Sequence, residues 1–103
     1  MYKLIFYVPI ADSEQVKLAV FLAGAGRLGN YENCSFETQG IGQFQPLDGA
    51  NPALGVVGNL EKVAELKIEM LCASDKIHSA ITALKKNHPY EQPAYEVIKL
   101  ENF

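Results

Sequence analysis

The stretch Val63-Ala-Glu-Leu-Lys-Ile-Glu-Met-Leu-Cys72 alternates: Leu66, Ile68, Met70 and Cys72 take every second place, with Glu65, Lys67, Glu69 and Leu71 between them. Successive side chains of an extended chain point to opposite faces, so this pattern predicts a strand with one apolar and one mostly charged side. Such a strand belongs in a sheet covered on one face only. Working outward, Ser74 is the expected cap of a helix that carries Asp75 in its first turn, Ile77, Ile81 and Leu84 at i, i+4, i+7, and Lys85 and Lys86 in its last turn. His88-Pro89 ends that helix, and Tyr95 to Leu100 alternates again as a closing strand. On the other side, Tyr2 to Val8 is rich in aromatic and β-branched residues and stops at Pro9, which marks a first strand. Asp12 with Gln15 three residues on opens a helix through Val16, Ala19, Val20 and Ala23, and the Gly24-Ala25-Gly26 cluster closes it. Tyr31 to Thr38 alternates weakly and gives strand two, with Cys34 and Phe36 on one face. Gln39 to Asn59 then carries Gly40, Gly42, Pro46, Gly49, Pro52, Gly55 and Gly58, a long excursion with room for short strands at Gly42 to Leu47 and Leu54 to Val57. The order β-α-β-excursion-β-α-β, with both helices on one sheet face, is an α+β ferredoxin-like (βαββαβ) sandwich.

The whole chain, 1–103, is expected to be one domain: 103 residues, 49% of them hydrophobic, bury enough surface to fold without a staple. The two cysteines, Cys34 and Cys72, form no C-x-x-C pair, which argues against a disulfide framework or a zinc ribbon and suits a reducing compartment. No apolar run approaches the ~20 residues of a membrane span, and the alternating N-terminus lacks a signal's layout, so the expected location is cytoplasmic with no membrane partner. Nine basic against twelve acidic residues, a net charge of -3 and a single arginine, Arg27, leave no basic stripe for a phosphate backbone. Nucleic-acid binding is therefore not expected.

Two loops hold residues capable of chemistry. Gly24-Ala-Gly-Arg-Leu-Gly29 satisfies G-x-G-x-x-G in letters, but that fingerprint needs a strand before it and a helix after it, and here the order is reversed. The sequence leaves two readings: a helix C-cap and turn, or a nest of backbone N–H groups that cups an oxyanion beside Arg27, with Asn30 and Tyr31 in reach. His88-Pro-Tyr-Glu-Gln-Pro93 is the second loop. His88 and Glu91 are competent to bind a metal or move a proton, whereas two prolines and a tyrosine also suit a rigid loop in which His88 caps helix carbonyls. A catalytic zinc takes three protein ligands, and the one nearby addition, Glu96, is turned away by strand alternation. His78 lies at the edge of an apolar helix stripe and reads as a solvated boundary residue, and both cysteines read as small core residues. No G-x-S-x-G, phosphate loop or Cys-His pair appears, so no catalytic residue is assigned.

Taken together and in order, Gly24-Ala-Gly-Arg-Leu-Gly-Asn-Tyr31, Cys34-Ser-Phe36, Gly42-Gln-Phe-Gln-Pro-Leu-Asp-Gly-Ala-Asn-Pro52 and His88-Pro-Tyr-Glu-Gln-Pro-Ala-Tyr95 resemble the inserted middle domain of the Nif-three-like (Ngg-one-interacting factor) family. The resemblance covers nearly the whole chain and implies a fold like that of CutA and the PII signalling proteins, which form trimers. The positions that match are Arg27, Asn30, Tyr31, Phe44, Pro46, His88, Tyr90 and Glu91; Gln92 and Glu96 depart from the expected Glu and Asp. In that family a dinuclear metal centre is built by two flanking domains. The resemblance therefore implies no dinuclear centre within this chain alone, names no cofactor, and carries over no hydrolase or cyclohydrolase activity.

The expected function is a non-enzymatic, oligomeric binding or regulatory module, a homo-trimer, in which Phe44, Pro46 and Pro52 meet a neighbouring subunit. A cleft near Arg27 and the His88 loop is expected to hold a small anionic metabolite or a metal, through Arg27, Asn30, Tyr31, His88, Tyr90 and Glu91. One alternative is a metal-binding protein or enzyme whose site is assembled between subunits from His88 and Glu91. Another is a protein-protein interaction domain that recruits its partner through residues 40–58.

Overall fold

Strand β3, Glu61–Cys72, is the frame of the structure, a computed structural model that describes residues 1–103. It pairs antiparallel with β1, Tyr2–Pro9, on one side and with β2, Phe36–Phe44, on the other; β4, Tyr95–Lys99, adds antiparallel to the far edge of β1, giving the order β2-β3-β1-β4. Helices α1, Ser13–Leu22, and α2, Ile77–Asn87, link the strands as the ferredoxin-like arrangement requires. The alternation of β3 is what fixes the core. Leu66, Ile68, Met70 and Cys72 face inward beside Leu4, Phe6 and Val8, and Val16, Val20, Ile77, Ala80 and Leu84 from the helices complete one apolar cluster. Phe6 lies opposite Ile68, so two of the largest fully buried side chains meet at the sheet's centre. Full burial of each contributes roughly 1.5–3 kcal/mol.

Each helix runs back along the strand before it, and β1 and β3 run in opposite directions. The loop after α1 therefore returns to the start of β1, where Gly26 N–H donates to the Leu71 carbonyl at 2.8 Å and Leu71 lies opposite Lys3. The loop after α2 reaches the other end, at Tyr7.

Local chemistry moves several boundaries from their sequence-based places. Strand two is Phe36–Phe44 rather than Tyr31 to Thr38, because Leu28 and Tyr31 close a tight turn on each other, N–H to carbonyl in both directions at 3.0 and 2.9 Å. Gly29 at φ 57° and Asn33 at φ 57° keep the chain turning until Phe36. The strand expected at Gly42 to Leu47 is the tail of β2, ending at Phe44, and Leu54 to Val57 forms no strand, since Gly55 takes φ 95°. Helix α2 begins at Ile77 with Lys76 before it and no side-chain cap, so Ser74 is not its cap. Asp12 does sit at the N-cap of α1, without a cap hydrogen bond, after a short 3-10 turn at Ile10–Asp12. Cys72 is a core residue as read, whereas Cys34 is only half-buried, in the turn.

Candidate functional site

The two segments that the sequence singles out, the excursion and the His88 loop, come together at the Tyr7 end of the sheet. After β2 the chain folds into an ordered loop: Gly58 N–H donates to the Pro46 carbonyl at 2.8 Å and closes its neck, and Ala50 and Asn59 make turns on Leu47 and Val56 at 3.0 Å. The loop after α2 leans against it. The rings of Phe44 and Tyr90 lie 5.7 Å apart and tilted, and Asn51 N–H donates to the Glu91 carboxylate at 3.1 Å. Between the two loops and the sheet is a cleft of about 440 Å³.

His88 fixes the second wall. Its ring is buried, Nε2–H donates to the Tyr7 carbonyl at 2.7 Å, and Nδ1 accepts from Tyr90 N–H at 3.0 Å, a pairing that defines the neutral Nε2–H tautomer. Burial lowers its pKa below the usual histidine value. Both ring nitrogens are thus engaged within the chain, so in this arrangement His88 holds the loop to β1 and presents no lone pair to a metal or ligand. Its neighbour Tyr90 does line the cleft, with a buried hydroxyl that has no hydrogen-bond partner. Burial, and next the charge of Glu65, push that phenol up from its ordinary pKa.

The floor of the cleft comes from the helix-free face of the sheet. Tyr7 donates its hydroxyl to Glu96 at 2.6 Å, and this bond is the first reason that the phenol's pKa is raised. Glu65 lies across β2, where any side chain at Gly42 would collide with its carboxylate. Half-buried there, Glu65 is pushed up from the ordinary carboxylate pKa by desolvation. The ionisable residues that line the cleft are Tyr7, Glu65, Tyr90 and Glu91, and none of them is basic.

Three of the expected positions change role. Phe44, Pro46 and Pro52, expected at a subunit contact, line the cleft within their own chain, with Pro46 buried. Arg27, Asn30 and Tyr31 lie at the opposite end of the sheet, near Lys3 rather than Tyr7, roughly 13 Å away at ~3.3 Å per strand residue. No single cleft joins Arg27 to the His88 loop. Nor do the glycines there form an anion nest: the N–H groups of Gly24, Ala25, Gly26 and Leu28 donate to the carbonyls of Phe21, Val20, Leu71 and Tyr31. Arg27 is exposed and pairs with Glu32 at 3.3 Å. The turn-and-cap reading of Gly24 to Gly29 holds. Sequence reasoning overlooked Tyr7, Glu65 and Gly42, because a charge on an alternating strand reads as solvated; the glycine placed diagonally across from Glu65 in β2 was the available signal.

No family model matches the chain. Among curated proteins it is 44% identical over 102 residues to the GTP cyclohydrolase 1 type 2 homolog of Halalkalibacterium halodurans, covering 99% of this chain and 27% of that protein. It is 46% identical over 99 residues to the homolog of the same name in Bacillus subtilis, covering 96% and 26%. The chain thus spans about a quarter of the length of these relatives. Among solved structures, a Bacillus cereus protein related to NIF3 superposes with a TM-score of 0.83 at 38% identity, over 98% of this chain and 26% of that one. CutA1 from Pyrococcus horikoshii superposes with a TM-score of 0.71 at 15% identity, over 100% of this chain and 86% of that one, a likeness of fold alone. The class is therefore a ferredoxin-like fold, shared with CutA1. Within that class, this chain matches a quarter-length segment of NIF3-related proteins from end to end.

Proposed function

We propose that the chain is a non-enzymatic, oligomeric binding or regulatory module of the cytoplasm, a homo-trimer, whose ligand sits in the cleft between the excursion and the 88–94 loop. The observation that supports this reading is the cleft itself: two segments with no secondary structure of their own converge on one pocket, tied by the Asn51–Glu91 hydrogen bond and the Phe44–Tyr90 contact. Loops ordered in this way on a rigid sheet are where small domains carry function. Two phenols and two carboxylates line the cleft, a set suited to recognition by hydrogen bonding and without a nucleophile paired to a base. The rival with an inter-subunit metal needs His88 to give up the Tyr7 or the Tyr90 bond, which counts against it. Native mass spectrometry of protein purified without chelator tests the proposal. The expected result is an oligomer that carries a reproducible small mass, lost in Phe44→Ala. A bare monomer would overturn it.

A further inference from the structure

Given the cleft as the ligand site, the reading on which this inference rests, we infer that its ligand is a small organic cation, an amine or amidine on an apolar body, held by the Glu65 carboxylate. The walls set the apolar part. Phe44, Pro46, Leu47, Pro52, Leu54 and Ala94 line a volume of about 440 Å³, within the roughly 300–1,000 Å³ typical of small-molecule sites. The charges set the polar part, and they are of one sign: the only charged residues in the lining are Glu65 and Glu91. An anion entering there would meet two carboxylates and no cation, which rules against the anionic metabolite expected from Arg27.

The two carboxylates differ in what they already do. Glu91 accepts the Asn51 N–H and so has a structural task in joining the loops. The chain's ion pairs are Lys3–Glu69, Lys17–Glu14, Lys17–Glu37 and Arg27–Glu32, and Glu65 takes part in none of them. A half-buried carboxylate with no cation is unfavourable unless something arrives to compensate it, because burial removes hydration and returns nothing. In its present position the Glu65 carboxylate lies over Gly42 of the neighbouring strand, in space that the absent Cβ leaves free, and its charge acts on the Tyr90 phenol. One wall therefore offers an acceptor with negative charge that no cation of the chain uses. An ammonium or amidinium with several N–H donors matches it, and its apolar body matches the proline and aromatic walls.

Three probes of nearly the same shape isolate the charge: benzamidine, neutral benzamide and anionic benzoate, titrated into the full chain while backbone amide resonances are followed by NMR. Benzamidine is expected to shift the backbone amides of the non-proline residues in 43–47 and 90–94, benzamide to bind about tenfold more weakly, and benzoate to leave them in place. Glu65→Gln, which keeps the shape and removes the charge, is expected to weaken benzamidine by about tenfold and leave the other sheet amides unmoved. Benzoate or benzamide binding at these residues as well as benzamidine, or unchanged benzamidine affinity in Glu65→Gln, would overturn the ligand class while the cleft reading survives. If none of the three shifts these amides at millimolar concentration, the cleft reading falls with it. The probe series on the unmodified chain stands even if Glu65→Gln fails to fold.

Discussion

The hydrogen bonds of His88 are compatible only with a neutral ring, since protonated Nδ1 would face the Tyr90 N–H that it now accepts. Burial places the folded pKa below the unfolded value of about 6.5, so the unfolded chain binds the extra proton as pH falls. The stabilisation from His88 is complete above about pH 6.5 and is lost progressively toward the lower folded pKa. Urea midpoints are accordingly expected to drop as pH falls below about 6.5, and His88→Ala to flatten that slope. The variant also leaves the Tyr7 carbonyl and the Tyr90 N–H without partners and opens a cavity, a cost of about 2–4 kcal/mol. Glu65 has the opposite sign: its folded pKa is raised, so its ionisation works against the fold as pH rises past the carboxylate range. Glu65→Gln is thus expected to raise the urea midpoint at pH 7 while it weakens benzamidine, and a lowered midpoint would show that the carboxylate supports the fold. Tyr90→Phe removes a buried hydroxyl that bonds to nothing and is expected to stabilise by about 1 kcal/mol in the same assay.

At the scale of elements, the loop from Gly24 to Gly29 separates conformational need from close packing. Gly26 holds φ 79°, and a Cβ there would lie 2.7 Å from the Phe21 ring and 3.0 Å from the Cys34 carbonyl; Gly29 holds φ 57° with nothing within 4 Å. Gly29→Ala is therefore expected to cost about 1–2 kcal/mol, the left-handed penalty alone. Gly26→Ala adds an overpacking cost of about 1–3 kcal/mol. Equal losses by calorimetry would mean that the turn tolerates crowding. The same physics explains which elements were legible in the sequence. In β3 the two faces meet different surroundings, so alternation is written into Leu66, Ile68 and Met70 against Glu65, Lys67 and Glu69. In β2, Phe-Glu-Thr-Gln-Gly-Ile-Gly-Gln-Phe is exposed through most of its length on both faces, and its strand geometry comes from pairing with β3 rather than from any pattern of its own. The expected start at Tyr31 failed for that reason. Each of the two loops of the cleft stood out in the sequence, but the His88 loop was paired there with Arg27 rather than with the excursion; the floor was not legible, because the burial of Glu65 is created by chain distant in sequence folding over it.

The whole molecule is longer than a domain of its size need be. Its Cα radius of gyration is 14.5 Å and its extents are 46 × 24 × 24 Å, against about 13 Å for a compact chain of 100 residues. β2 is the outer strand of the sheet, so one side of its backbone has no strand partner. Apolar side chains stand uncovered along it and along the loop that follows: Phe36 is 70% exposed, Ile41 77% and Leu47 73%. A long edge strand with bare apolar residues and no lysine invites pairing with another chain. Sedimentation equilibrium at micromolar concentration is expected to give three times the 11.3 kDa chain mass. Ile41→Lys places a charge on the edge without touching the core, so it is expected to shift the protein to the monomer mass with an unchanged far-ultraviolet spectrum. Retention of the trimer in Ile41→Lys would move the interface to the opposite edge, at β4, where Val97 and Ile98 are also partly exposed. A monomer mass for the unmodified chain would overturn the homo-trimer.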